Sequence, residues 1–247
     1  MNTNIIMELK IYQDKNQVAQ EFSKYFAEKA KGEASFHVAL SGGSTPKIVF
    51  DVLAKEFGAS IDWKSVHFYW GDERCVLPTD DESNYKMTVE HLLSKIDIPE
   101  ENIHRIKGEE DPEAEAVRYA QVLKNELPSK NGFPQFDLVI LGMGDDGHTA
   151  SIFPHEIELW QSENLCAVAV HPDSGQKRIT ITGNVINHSK TVAFLVTGAT
   201  KEEKVGEIIN CDGACETYPA NLVAPTSGDL LWFLDKAAAA KIKEGQV

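Results

Sequence analysis

The residues of this 247-residue chain best suited to chemistry fall in three short clusters and at two isolated basic positions. The first cluster is Gly142-Met143-Gly144-Asp145-Asp146-Gly147-His148, which places the Asp146 carboxylate two residues before the His148 imidazole. A carboxylate at that spacing fixes the tautomer of the ring and supports its charged form, as a general base requires. Two other readings stand beside it. Asp146 could cap a helix with His148 incidental, or Asp145, Asp146 and His148 could hold a metal. A catalytic metal wants roughly three protein ligands, and no second His/Asp/Cys cluster lies at an obvious spacing, His155 and His171 being isolated. The order of preference is base, then cap, then metal. Gly142, Gly144 and Gly147 also satisfy a GxGxxG pattern. A dinucleotide site is rejected, because Asp145 and Asp146 would face the pyrophosphate with no cation to offset them.

The second cluster is Ser41-Gly42-Gly43-Ser44-Thr45-Pro46. Gly42 and Gly43 allow close backbone approach, and a helix opening at Ser44 and Thr45 would offer free N–H groups to a phosphate. An ordinary tight turn with a Thr45 cap accounts for the segment equally well. No Gly-Lys-Ser/Thr follows at the spacing of a P-loop. The third cluster, Trp70-Gly71-Asp72-Glu73-Arg74, brings Arg74 to a strand end, where it could fork onto a carboxylate, phosphate or oxyanion. Its plainer reading is a solvated loop, and the role of Asp72 stays open. Of the isolated basic residues, Arg178 opens an apolar run and Lys201 follows Val196-Thr197-Gly198-Ala199-Thr200 at a helix start. A lysine there opposes the helix dipole, which hints at an anionic ligand, although a single lysine often serves solubility alone.

These residues need elements to position them. Apolar, β-rich runs predict strands at Leu9–Tyr12, Phe36–Leu40, Val66–Trp70, Phe136–Leu141, Ala167–Val170, Ile179–Thr182, Val192–Val196 and Leu230–Leu234. Helical patterns lie between them at Asn16–Ala30, Pro46–Phe57, Asn84–Ile96, Pro112–Leu127, Lys201–Ile209 and Asp235–Lys243. Thr45-Pro46 reads as a helix start, and Ser83 and Asp111 as caps of their helices. Strands apolar on both faces and alternating with helices predict an α/β fold with a single open, mostly parallel sheet covered on both sides. In such a sheet ligands bind beyond the carboxyl ends of the strands, which is where all three clusters fall. No Pro/Ser-rich linker divides the chain, so one domain over 1–247 is expected.

Composition narrows the partners. Lys and Arg number 24 against 38 Asp and Glu, a formal charge of -14. Such a surface repels nucleic acid and anionic membranes, so neither is expected as a partner. An anionic ligand would need a locally positive pocket. The apolar runs are too short to span a bilayer, and the opening MNTNIIMELK lacks a signal-peptide pattern, which predicts a cytoplasmic protein. Cys75, Cys166, Cys211 and Cys215 match no zinc or redox motif and are expected as free thiols, with Cys166 in the core.

Taken in order, Ser41–Pro46, Gly71–Arg74, Gly142–Ser151, Arg178-Ile179-Thr180, Gly198 with Lys201, Pro219-Ala220 and Trp232–Asp235 resemble the 6-phosphogluconolactonase family, a relative of the glucosamine-6-phosphate deaminases. The resemblance implies hydrolysis of 6-phospho-D-glucono-1,5-lactone to 6-phospho-D-gluconate in the oxidative pentose phosphate route. It implies no cofactor and no metal. Carried over by position, His148 is the base that activates water, Asp146 orients it, and Arg74 stabilises the oxyanion. Gly42, Gly43, Ser44, Thr45, Arg178 and Lys201 hold the phosphate, with Asp72 a possible accessory. The partner is then a small phosphorylated sugar lactone, bound by a monomer or small homo-oligomer. Two alternatives remain: a deaminase, or a non-catalytic sugar-phosphate sensor. Against the deaminase, its pattern after Gly-His reads Ile-Ala-Phe-Asn-Glu-Pro, whereas here Phe153 stands where that Glu would be, and Arg74 replaces a tyrosine.

Overall fold

The computed structural model describes residues 6–226 and 228–245, so the first five residues of the MNTNIIMELK segment lie outside the described residues. In chain order the strands are β1 (Ile6–Tyr12), β2 (Phe36–Leu40), β3 (Val66–Trp70), β4 (Asp72–Arg74), β5 (Ile103–His104), β6 (Ser129–Lys130), β7 (Phe133–Pro134), β8 (Leu138–Leu141), β9 (Cys166–Val170), β10 (Lys177–Ile181), β11 (Thr191–Val196) and β12 (Asp229–Asp235). The α-helices are α1 (Lys15–Ala30), α2 (Ser44–Val52), α3 (Asn84–His91), α4 (Pro112–Glu126), α5 (Gly183–Asn187) and α6 (Glu202–Asn210).

Seven strands form a central sheet in the order β1-β12-β11-β8-β2-β3-β5, and every neighbouring pair in it runs parallel. Its middle strands β2, β8 and β11 are buried along their whole length, as a parallel sheet covered on both faces demands. Helix α1 buries Val18, Ala19, Phe22, Phe26 and Ala30, a stripe at helical spacing, and Asp14 caps it by accepting from the N–H groups of Asn16 and Gln17. Ser83 and Asp111 cap α3 and α4 as expected, accepting from Lys86 and Ala114.

The open α/β fold is as the sequence predicts, with one addition. The runs at β9 and β10 do not join the central sheet. They pair antiparallel with each other, and β10 pairs antiparallel with β4, in a separate sheet of order β4-β10-β9. The short polar segment between β9 and β10 returns the chain on itself, which is hairpin and not crossover geometry. Gly71 joins the two sheets: its N–H donates to the Leu40 carbonyl at 2.8 Å, and its carbonyl accepts from the Ile181 N–H at 2.8 Å. Just before it, buried Tyr119 of α4 donates its hydroxyl to the Trp70 carbonyl and accepts the Trp70 N–H, both at 2.9 Å. The end of β3 is thereby held where the charged cluster begins.

Three helix expectations change. The Pro46–Phe57 pattern begins earlier, at Ser44, and widens into a π turn at Leu53–Phe57. Gly43, not Thr45, is the N-cap, because the Thr45 hydroxyl is bonded to that of Thr197 at 2.8 Å. The Asn84–Ile96 pattern ends as α-helix at His91 and finishes in a 3₁₀ turn. Asp235–Lys243 forms turns and no helix. There the Asp235 carboxylate accepts from Gly198 N–H as well as Ala238 N–H, and the Lys236 N–H donates to Tyr12. The segment is thus tied back to the sheet, and so short a stretch does not offset the cost of nucleating a helix. Among the described residues, no helix is long and apolar enough to cross a membrane.

Candidate active site

The carboxyl ends of β2, β8 and β11 are adjacent in the sheet, and the segments that leave them enclose a cavity of about 240 Å³. Its lining includes Gly42, Gly43, Ser44, Thr45, Asp72, Arg74, His148, Arg178 and Lys201. These are all the residues singled out from sequence except Asp146, which stands behind His148.

After β8 the chain makes a compact turn. The Gly144 N–H donates to the His148 carbonyl at 2.9 Å and the Gly147 N–H to the Gly144 carbonyl at 3.1 Å. Gly147 has φ +84, and Tyr218 packs so closely that a Cβ there would lie 2.6 Å from its ring. A side chain is therefore barred on both conformational and steric grounds. This turn brings His148 Nδ1 to 2.6 Å from Asp146 Oδ1, while the His148 N–H donates to the same oxygen at 3.1 Å. Burial pushes the Asp146 carboxyl up, but the bond from His148, its charge and the backbone N–H outweigh it and hold the group down at about 2. With Nδ1 committed to the carboxylate, Nε2 is the nitrogen left to accept a proton from water. No helix begins at Asp146, so the capping alternative is overturned. Beyond the turn, Ala150 takes φ 49 and Thr149 ties back to the Gly142 carbonyl at 2.8 Å.

Four cationic or dipolar features face the histidine. Arg74 and Arg178 sit directly opposite each other in the β4–β10 ladder. Like charges at paired positions are unfavourable, so a bound anion would relieve them. Burial lowers the Arg178 pKa and the neighbouring Arg74 charge adds to the effect. Arg74 donates from Nη1 to the Glu82 carbonyl, while its buried Nε finds no protein acceptor. Lys201 reaches the cavity from the turn after β11 and pairs with Asp145 at 2.5 Å. The fourth feature is the N-terminus of α2, where Gly43 takes φ 113 and no side chain caps the helix. Its first N–H groups are therefore available to an anion.

Several contacts of the site carried no sequence signal. Ser151, fully buried, donates to Asp72 Oδ2 at 2.6 Å and fixes that carboxylate on the cavity wall. Asn84 Nδ2 donates to the Asp72 carbonyl at 3.0 Å, and its side chain fills the space that a Cβ at Gly42 would need. Glu73 is buried because it accepts the N–H groups of Arg74, Asn84 and Tyr85 and the Ser83 hydroxyl. Burial raises its pKa and the backbone donors oppose the rise. The solvated-loop reading of this cluster therefore fails for Asp72 and Glu73. Phe153, also fully buried, is shared: the His148 ring lies 4.7 Å and the Arg178 guanidinium 5.7 Å from its centroid. His155 and His171, isolated in sequence, pack on the same ring at 5.8 and 5.3 Å. Among the described residues, no group of three or more His, Cys, Asp or Glu is arranged to hold a metal ion. All four cysteines are free, and Cys166 is buried in the core.

Comparison with known proteins meets this geometry. The family described as glucosamine-6-phosphate isomerases/6-phosphogluconolactonase matches residues 13–232. The chain belongs to this family. It is 45% identical to a 6-phosphogluconolactonase of Haemophilus influenzae over 90% of this chain and 93% of that one. It is 44% identical to the 6-phosphogluconolactonase of Treponema pallidum over 82% of this chain and 84% of that one. Among solved structures, the 6-phosphogluconolactonase of Trypanosoma brucei superposes with a TM-score of 0.85 at 27% identity, covering 97% of this chain and 100% of that one.

Proposed function

We propose that the protein is a 6-phosphogluconolactonase, a hydrolase that opens 6-phospho-D-glucono-1,5-lactone to 6-phospho-D-gluconate and so serves the oxidative pentose phosphate pathway. The observation that carries this reading is the Asp146–His148 pair on the wall of a cavity otherwise lined by Arg74, Arg178, Lys201 and the α2 N-terminus. In a chain of net charge -14 that concentration of positive potential suits a phosphomonoester. The names of its relatives supply the lactone.

In the proposed reaction His148 Nε2 takes a proton from water as the water oxygen attacks the lactone carbonyl carbon. Asp146 holds the ring and balances the imidazolium that forms. Arg74, which lines the cavity, stabilises the oxyanion of the tetrahedral intermediate. Collapse breaks the bond to the ring oxygen, which receives the proton back from His148. Gly42, Gly43, Ser44, Thr45, Arg178 and Lys201 hold the phosphate away from the reacting carbon. Asp72, an acceptor fixed by Ser151, is suited to a sugar hydroxyl. The reaction needs no metal or cofactor, and a monomer or small homo-oligomer working in the cytoplasm would suffice.

The test is a spectroscopic assay on fresh lactone with the purified protein, before and after exhaustive chelation, beside an ammonia assay on glucosamine 6-phosphate. Rapid lactone opening that survives chelation, with no ammonia, is expected. Rapid ammonia release with slow lactone opening would reverse the assignment in favour of a deaminase. Binding without acceleration over buffer would favour a sensor.

A further inference from the structure

The two adjacent aspartates of the catalytic turn face different partners. Asp146 bonds His148, whereas Asp145 bonds Lys201 Nζ at 2.5 Å. The Asp145 side chain is 73% exposed and that of Lys201 only 21% exposed, so the carboxylate stands on the solvent side of the cation. Lys201 lies on the cavity wall and Asp145 does not. An anion entering the cavity and the Asp145 carboxylate therefore draw on the same ammonium charge. Once displaced, Asp145 is still hydrated, so its release costs little beyond the ion pair itself.

From this geometry we infer that Asp145 is an internal competitor for the phosphate group, a residue that sets how tightly phosphorylated substrate and product are held without touching the reacting carbon. The inference rests on the reading of Lys201 as a phosphate ligand. A competitor at this point has a use in the proposed reaction. Ring opening converts a neutral ester into a carboxylate, so the product carries one more negative charge than the substrate. In a pocket walled by Arg74, Arg178 and Lys201 it would be held too firmly to leave quickly. Asp145 re-forming its pair with Lys201 helps the product go.

Asp145→Asn keeps the shape and removes the charge. Exposed ion pairs of this kind are worth about two- to five-fold in an equilibrium constant. The variant is expected to bind 6-phosphogluconate about two- to five-fold more tightly by titration calorimetry at low salt. The KM for the lactone should fall by a similar factor, and the gain should shrink as ionic strength rises. In a Lys201→Ala background the same substitution should change nothing, because the contested cation is gone. Unchanged or weaker binding in Asp145→Asn overturns the inference. So does an equal gain in both backgrounds, which would mean a diffuse field effect and no competition for Lys201. If Lys201→Ala itself leaves 6-phosphogluconate binding intact, the phosphate assignment fails first, a result distinguishable from failure of the competitor alone.

Discussion

Gly144→Ala isolates the geometry of the Asp146–His148 turn from everything else in the fold. The φ of Gly144 is not in the positive region, so alanine fits its backbone. Space is the obstacle: a Cβ there would lie 2.1 Å from His148 Nδ1 and 2.7 Å from Asp146 Oδ1. Carbon and nitrogen without a bond between them need about 3.4 Å or more, so the imidazole must retreat by over ~1 Å. The 2.6 Å bond between His148 and Asp146 then stretches beyond hydrogen-bonding range, and the ring leaves the position from which it could activate water. A misplacement of that size costs on the order of 10²-fold in rate. The atoms nearest the new methyl group belong to His148 and Asp146, in a turn that is itself partly exposed. Thermal stability and binding of 6-phosphogluconate should therefore stay near wild type while kcat falls about a hundredfold, measured in parallel by lactone assay, thermal melt and calorimetry. Wild-type kcat in a folded Gly144→Ala protein would refute the argument that His148 must stand where it does.

Further outcomes follow from the same structure. Arg178→Ala should mainly raise the KM, since a remote phosphate contributes uniform binding, and unchanged competition by inorganic phosphate would show that the pocket is misplaced. Acid should destabilise the fold through His37, which burial and the neighbouring His67 hold down at about 4 from its ordinary 6.5. Its ring stacks on His67 at 4.7 Å, and His67 in turn on His104 at 5.8 Å. Because the unfolded chain binds this proton first, stability is full above pH 6.5 and falls as pH drops towards 4, by up to about 3 kcal/mol. His37→Phe should flatten that slope in urea titrations between pH 7 and 4.5; an unaltered slope would remove His37 from the account.

How much of this could be read in advance depended on range. Strands β2 and β3 emerged residue for residue, because each is an apolar, β-rich run broken only by one histidine. The Asp146–His148 pair was legible because two residues on one turn have little choice of partner. What stayed hidden was made by contacts distant in sequence. Arg74 and Arg178 become neighbours only when β4 and β10 pair. Three charges in a row argue for a solvated loop, and nothing local reveals that Ser151 and the start of α3 satisfy two of them. Thr45 had the chemistry of a cap, and the bond to Thr197 that diverts it spans two strand ends of the sheet. Phe153 was marked only as the residue that replaces a glutamate, and nothing local revealed that its ring gathers three histidines and an arginine.

The central claim is that the Asp146–His148 turn catalyses ring opening in a pocket built for a phosphorylated sugar acid. The measurement that tests it most directly is the single-turnover rate of 6-phosphogluconolactone opening in wild type and His148→Ala, with 6-phosphogluconate affinity determined on the same samples. Loss of a general base costs about 10²–10⁴ in rate. The account predicts a loss of that size in His148→Ala with affinity retained. Near-wild-type turnover in that variant would contradict it.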